Sequence, residues 1–179
     1  MSEQNIESTE MDFSLPVGTK VAFATSQTAH GYISGIGLGV IDVFYLKVLG
    51  ADPSMLAISW ILFIVWNMVN DPLIGIIQDQ TKTEKGRRVP YLRYGSIIYV
   101  ITFIWIWFPF ANTQQMLFWN HLLMLFVFDT VYSMMGLIYY GMPAEMTVSS
   151  KERGSIMVYS TAIGVIGTLG TVIVPLVYL

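Results

Sequence analysis

Cysteine is absent from the 179 residues, so disulfides and thiolate metal sites are excluded and the redox compartment leaves no mark on the chain. Charge is scarce: Asp, Glu, Lys and Arg together make up 12% of the residues, where a soluble domain carries about 25%. Histidine occurs twice, at His30 and His121, with no second imidazole at metal-ligand spacing. GxSxG, P-loop and HExxH patterns are missing, so no catalytic pairing and no ATP motor is visible, and the chain does not read as an enzyme. The mild net charge of −3 speaks against nucleic acid as a partner. The first residues are not expected to act as a secretory leader. MSEQNIESTEMDFSLP is acidic and polar, whereas a signal peptide needs a basic start and an apolar core. Residues 1–16 are therefore expected to be a disordered cytoplasmic tail.

What the chain has in abundance is apolar length. Hydrophobic residues make up 54% of it. They fall into five runs, each close to the roughly 20 residues that a membrane-spanning helix needs. The expected spans are 17–48, 55–78, 92–110, 115–142 and 155–179, separated by short stretches rich in Gly, Pro, Asn and Asp. Open sheet edges cannot face lipid, so the fold class is all-α: a polytopic membrane protein of five helices. With the N-terminus placed in the cytoplasm, Lys20, the basic loop from Lys82 to Arg93, Lys151 and Arg153 fall on the inner side and only Lys47 on the outer. That bias predicts a multi-pass plasma-membrane protein with a cytoplasmic N-terminus.

The second span carries unusual polarity. Asn67, Asn70 and Asp71 are related by three and four residues, so they share one helix face. At 1.5 Å per residue, Asp71 lies about 10 Å inside the Gln78 end of its helix and Asn67 about 16 Å. One carboxylate and two amides supply oxygens that suit a hard cation such as sodium, and the carboxylate alone could take up a proton. An acid in the membrane costs about 2.5–3.5 kcal/mol on insertion scales and marks a functional position unless it is paired structurally or caps a break beside Pro72. Asp129 near the middle of the fourth span, beside Tyr132, and Asp42 near the outer end of the first add two more acids. Each of these could instead snorkel or bond a neighbouring hydroxyl. Gly31, Gly35 and Gly39 in the first span, and Gly164, Gly167 and Gly170 in the fifth, permit either close helix packing or a smooth cavity wall.

The stretch NDPLIGIIQDQTKTEKGRRVPY, from Asn70 to Tyr91, resembles the helix 2 and loop signature of the glycoside–pentoside–hexuronide:cation symporters, the melibiose-carrier group of the major facilitator superfamily. Gly75 and Asp79 match the start of the loop motif and Gly86, Arg87 and Arg88 its end. DTVYS at Asp129 and MPAEM before KERGS are also similar to members of that group. The resemblance implies an alternating-access carrier of two six-helix halves with the substrate site between them. It implies symport of a sugar, glycoside or related small solute with H+ or Na+, and no other cofactor. For cation binding or proton coupling it points to Asp71, Asn70, Asn67 and Asp129; sodium at Asp71 is the one metal ion expected. In melibiose carriers an acid stands at the position of Asn67, another near Met135 or Gly136, and a sugar-contacting acid at Gly31. His30, Asp42 and Tyr132 are the substrate-contact candidates. Gly75, Asp79, Gly86, Arg87 and Arg88 are assigned to a cytoplasmic gate, with Lys82, Lys85 and Arg87 open to a simpler reading as topology signals facing anionic lipid. On this view the partners are the substrate, membrane lipid and a missing C-terminal half, and residues 17–179 form most of an N-terminal six-helix half. Two other readings stay open: a carrier of lysolipid or another amphiphile, and a non-transporting short product or interaction subunit.

Overall fold

The structure, a computed structural model, describes residues 14–178 except 85, 111 and 112, with side chains to residue 173. The described residues are mostly helical, joined by short turns, with no strand among them. Helix α1 spans Val17–Val43 and continues as a π-helical turn, Phe44–Val48. Helix α2 spans Pro53–Gln80. A second π turn, Tyr91–Gly95, leads into α3, Ser96–Ile106. Helices α4 and α5 span Gln114–Met146 and Ser150–Tyr178. Four helical rods are long and apolar enough to cross a membrane, and Tyr91–Ile106 forms a fifth, shorter one. Their flanks leave Ile61, Ile64, Val65 and Met68 of α2 and Ile166 and Leu169 of α5 largely exposed, as a bilayer requires and water does not.

The observed ends differ from the apolar runs in a consistent way. Helix α2 starts two residues before the expected Met55, because Asp52 caps it: its Oδ1 accepts from the amides of Ser54 at 2.7 Å and Met55 at 3.3 Å, and Pro53 fits the first helical position. Those two amides hold the Asp52 carboxyl below the usual carboxylate range. Helix α4 is capped by Thr113, which accepts from the Met116 amide at 3.2 Å, and it runs on to Met146 through Pro143. Helix α5 begins at Ser150, so the charged turn Lys151–Arg153 is helical although it is not apolar. Caps and charged turns lie at the polar rim, where hydropathy stops reporting helix. The third span is shorter than the expected 92–110. Pro109 disfavours helical geometry in the residue before it, and the chain leaves the helix at Trp107. The expected tail lies outside the described residues except for 14–16, and so does Lys85.

Two helix pairs make the bundle, α1 against α5 and α2 against α4, and α4 also covers α3 and touches α1. Accordingly α4 is the most buried helix, with Met124, Leu125, Phe128 and Ile138 at its core. Glycines set the close approaches. A Cβ on Gly37 would lie 2.6 Å from Cζ of the buried Phe128 ring, and one on Gly35 would lie 2.8 Å from the Thr171 methyl. Gly167 faces Thr28 and Gly170 faces the Tyr32 ring. Gly31 and Gly39 meet nothing within 4 Å, so the glycines divide between packing contacts and open wall. At the end that carries the 81–90 loop, Lys20 is buried and pairs with Glu152 at 2.7 Å and with the Ser155 hydroxyl at 3.0 Å, tying α1 to α5. At the opposite end Gln114 clamps the α1–α2 turn, accepting from the Asp52 amide and donating to the Gly50 carbonyl, both at 2.8 Å.

Because the Phe128 ring has no room to retreat, Gly37→Ala is expected to cost about 1–3 kcal/mol through overpacking. Gly39→Ala, facing open space, should be neutral or mildly stabilising. Melting temperatures of the two variants in detergent check this contrast.

Candidate cation and substrate site

Helices α2 and α4 run side by side in the same direction, and a residue on α2 meets the one 62 positions later on α4: Ser59 meets His121, Asn67 meets Asp129, and Asp71 meets Ser133. Steps of eight and four residues return to roughly the same helix face, so these pairs form rungs along one seam. At the middle rung, Asn67 Nδ2 donates to the two Asp129 oxygens at 3.3 and 3.2 Å, and Asn70 Nδ2 donates to Asp129 Oδ2 at 3.2 Å. Asp129 and Asn70 are buried. One turn towards the loop end, the Ser133 hydroxyl donates to Asp71 Oδ1 at 2.5 Å, while Asp71 itself lies at the exposed flank of α2. The structure thus brings Asn67, Asn70, Asp71 and Asp129 together and adds Ser133. Two carboxylates one turn apart in apolar surroundings are least costly with a proton or cation among them. A half-turn of either Asn amide exchanges a donor for a carbonyl oxygen, so the same side chains can present hydrogen-bond donors to a carboxylate or oxygen ligands to a hard cation.

His30 and Tyr132 also meet. Their rings stack at 4.9 Å with an interplanar angle of 9°, and Tyr139 and Tyr99 stand 5.3 and 5.5 Å from the imidazole. Gly136 leaves space for this ring: a Cβ there would sit 3.4 Å from His30 Nε2. His30 Nδ1 is shielded from solvent and has no protein partner. Asp42 is elsewhere. It lies near the opposite end of the bundle, where Trp60 Nε1 donates to its two oxygens at 2.9 Å each and His121 Nε2 approaches Oδ1 at 3.1 Å. His121 Nδ1 is 2.6 Å from the Ser59 hydroxyl, which in turn lies 2.7 Å from the Leu56 carbonyl. Since the Asp42 carboxylate can only accept, the His121 Nε2 carries hydrogen, and Ser59 serves as acceptor or donor to the other nitrogen according to the charge on the ring. Tyr45 and Asn120 are hydrogen-bonded beside this cluster. Asp42 therefore shares no contact with the pair it was grouped with.

The loop motif closes onto α4. Arg87 pairs with Asp79 at 3.0 Å and with Glu145 at 2.5 Å, and Arg88 Nε meets Glu145 at 3.0 Å. Arg88 Nη1 also donates to the carbonyls of Leu137 at 3.2 Å and Ile138 at 2.9 Å, in a space that a side chain on Gly141 would fill. Gly86 has φ +96°, open to glycine and strained for other residues, and its amide and carbonyl bond back to Thr83 at 3.1 and 2.6 Å. A Cβ on Gly75 would touch Leu137 at 4.0 Å. Asp79 thus pairs with Arg87 rather than Arg88, and the acceptor common to both arginines is Glu145. Sequence reading passed over Glu145, although it sits inside the MPAEM segment. Nothing in the sequence pointed to Trp60 or His121 as partners of Asp42, or to Ser59 as a partner of His121.

Residues 22–179 match the family model described as MFS/sugar transport protein. The chain belongs to this family. No solved structure matches it. Among curated relatives of this MFS/sugar transport chain, a protein of Escherichia coli (strain K12) bearing the designation glycoside/cation symporter YagG is 24% identical over 156 residues, 87% of this chain and 34% of its own length. The sodium-dependent lysophosphatidylcholine symporter 1-A of Danio rerio is 30% identical over 164 residues, covering 89% of this chain and 30% of that protein. The lactose permease of Lactobacillus helveticus is 29% identical over 164 residues, covering 88% and 24%. The chain spans about a third or less of the length of these relatives.

Two outcomes follow for this family member. Glu145→Gln removes the charge shared by Arg87 and the half-buried Arg88, so it should lower the melting temperature more than Asp79→Asn, which unpairs only a solvated contact. His121→Leu deprives both Asp42 and Ser59 of a partner, at an expected cost of about 1–3 kcal/mol. Adding Asp42→Asn should cost less in the His121→Leu background than in the native protein, as a double-mutant cycle of melting or denaturant midpoints would record.

Proposed function

We propose that this chain supplies the ion-coupling half of a secondary transporter, a symporter that moves a sugar or related small solute with a cation by alternating access. The supporting observation is the pair of polar rungs shared by α2 and α4, where Asn67, Asn70, Asp129, Asp71 and Ser133 gather within the membrane-spanning length of the two helices. Such a cluster is costly in a membrane and has a use where a proton or sodium ion is taken up and released. The coupling ion is H+ or Na+, carried as cargo. The Arg87–Asp79 and Arg88–Glu145 contacts support a gate at the loop end, read as cytoplasmic from the distribution of Lys and Arg. A second, C-terminal half would provide the other wall of the substrate path, and the plasma membrane is the proposed location.

A second reading, transport of a lysolipid, has its own support. The Danio rerio relative is named for lysophosphatidylcholine. A cavity of about 460 Å³ near the loop end, between α1, α3 and α4, is walled by Phe23, Leu92, Met135, Met142 and Met146. Thioether-rich walls adapt to flexible apolar ligands.

In membrane vesicles from cells making the protein, Asp71→Asn is expected to abolish solute accumulation driven by an imposed proton or sodium gradient, with expression unchanged. Methyl pyranosides and lysophosphatidylcholine are the solutes to assay side by side. Undiminished accumulation in the variant would sink the coupling role.

A further inference from the structure

At the end of the bundle opposite the 81–90 loop, three side chains form a line across three helices: Asp42 of α1, His121 of α4 and Ser59 of α2. Asp42 Oδ1 lies 3.1 Å from His121 Nε2, and the Ser59 hydroxyl lies 2.6 Å from Nδ1. Trp60 Nε1 donates to both Asp42 oxygens and holds the carboxylate in place. Ser59 and His121 are 0% exposed, whereas the Asp42 side chain is 40% exposed. The order serine, histidine, carboxylate is that of a hydrolase, but a serine with no exposed surface admits no acyl substrate. A proton is small enough to reach this imidazole where a molecule is not.

Hydrogen counting gives the line two states. As a carboxylate Asp42 can only accept, so Nε2 carries hydrogen in both. Ser59 has one hydroxyl hydrogen and two short contacts, Nδ1 at 2.6 Å and the Leu56 carbonyl at 2.7 Å. If the ring is neutral, Nδ1 is bare and takes the Ser59 hydrogen, and the Leu56 carbonyl goes without it. If the ring is protonated, Nδ1 donates to Oγ and the hydroxyl hydrogen goes to Leu56. Both short contacts are made in full only in the protonated state. There the charged ring faces the Asp42 carboxylate, and its two hydrogen bonds are charge-assisted. Tyr45 is the other titratable group beside the ring, with centroids 4.8 Å apart, and its hydroxyl is bonded to Asn120. The Trp60 ring stands at 6.4 Å. Among the described residues, no group of α3 or α5 is bonded to His121 or stacked on it.

We infer that Ser59, His121 and Asp42 form a reversible proton-binding site, separate from the cation cluster of α2 and α4, that ties α1 to the other two helices when it is loaded. Hydronium gives up one proton and leaves as water, His121 Nδ1 gains one hydrogen, and the Ser59 hydroxyl turns from the ring to the Leu56 carbonyl. Loading converts the contact between α1 and α4 into an ion pair and draws Asp42 towards the seam at this end of the bundle. Ser59 lies eight residues from Asn67, about 12 Å along α2. The site therefore stands apart from Asp71 and Asp129, and the inference does not depend on the transport reading.

The test is solid-state nitrogen NMR of the protein in lipid vesicles, with the histidine ring nitrogens labelled, between about pH 4 and about pH 9, a range that brackets ordinary imidazole titration. The His121 signals are those lost in His121→Leu and kept in His30→Gln, so either variant suffices to assign them. His121 should pass reversibly from two hydrogen-bearing nitrogens at acid pH to one, Nε2, at alkaline pH. Ser59→Ala and Asp42→Asn should each weaken proton binding about tenfold or more, the loss of one charge-assisted hydrogen bond. Ser59→Thr keeps the hydroxyl and should titrate as the native protein does. If Ser59→Ala does not fold, the native titration and Asp42→Asn decide. A ring that stays neutral or stays protonated across the whole range would overturn the assignment, and so would a midpoint that neither Ser59→Ala nor Asp42→Asn moves.

Discussion

The seam between α2 and α4 is the constraint on which the structure turns. In a bilayer, apolar surface gives helices no reason to choose one neighbour over another, because lipid is as good a partner as leucine. Polar groups do choose, since each unsatisfied one costs free energy. The three rungs Ser59–His121, Asn67–Asp129 and Asp71–Ser133 share one offset, so they fix the two helices in a single register. A slide of one residue would break every rung at once. The register that satisfies these groups is also what brings the acids of two helices into one cluster, so the site and the packing have a common origin.

The remaining helices are placed by steric fit and by charge at the ends. Helix α1 reaches α4 where Gly37 admits the Phe128 ring, and again where Gly136 admits His30 against Tyr132. It reaches α5 through Gly35, Gly167 and Gly170. Lys20 and Glu152 hold the loop ends of α1 and α5 together, while Arg87 and Arg88 gather the α2–α3 loop onto Glu145 of α4. In the proposed carrier these two features have different consequences. A locked seam carries the ion site as a rigid unit, and the solvated Arg87 contacts at the loop end can open and close at modest cost.

How much of this was legible in the chain varies with the physical signal. The five spans and the all-α class follow from apolar length, and their ends were missed by up to five residues because caps such as Asp52 and the helical turn at Lys151–Arg153 are polar. The coupling candidates on α2 were legible because Asn67, Asn70 and Asp71 lie within one turn, and a helix fixes their common face. Asp129 could be named as an acid in a span, but its meeting with Asn67 and Asn70 depends on register between helices, which no local pattern encodes. Asp42 shows the same dependence on tertiary contact. Named with His30 and Tyr132 as a substrate-contact candidate, it stands twelve residues from His30 on α1 and meets Trp60 and His121.

By itself the sequence determined which segments enter the membrane, which residues are costly there, and the turn at Gly86 that only glycine adopts readily. These are properties of single residues and short windows, set by hydropathy and backbone sterics. The tertiary structure alone decided the offset of 62 between α2 and α4, the pairing of Asp79 with Arg87 and of both arginines with Glu145, and the line from Asp42 through His121 to Ser59. Those depend on the distance between segments far apart in the chain, which is set by how whole helix faces fit and by where their polar groups find partners.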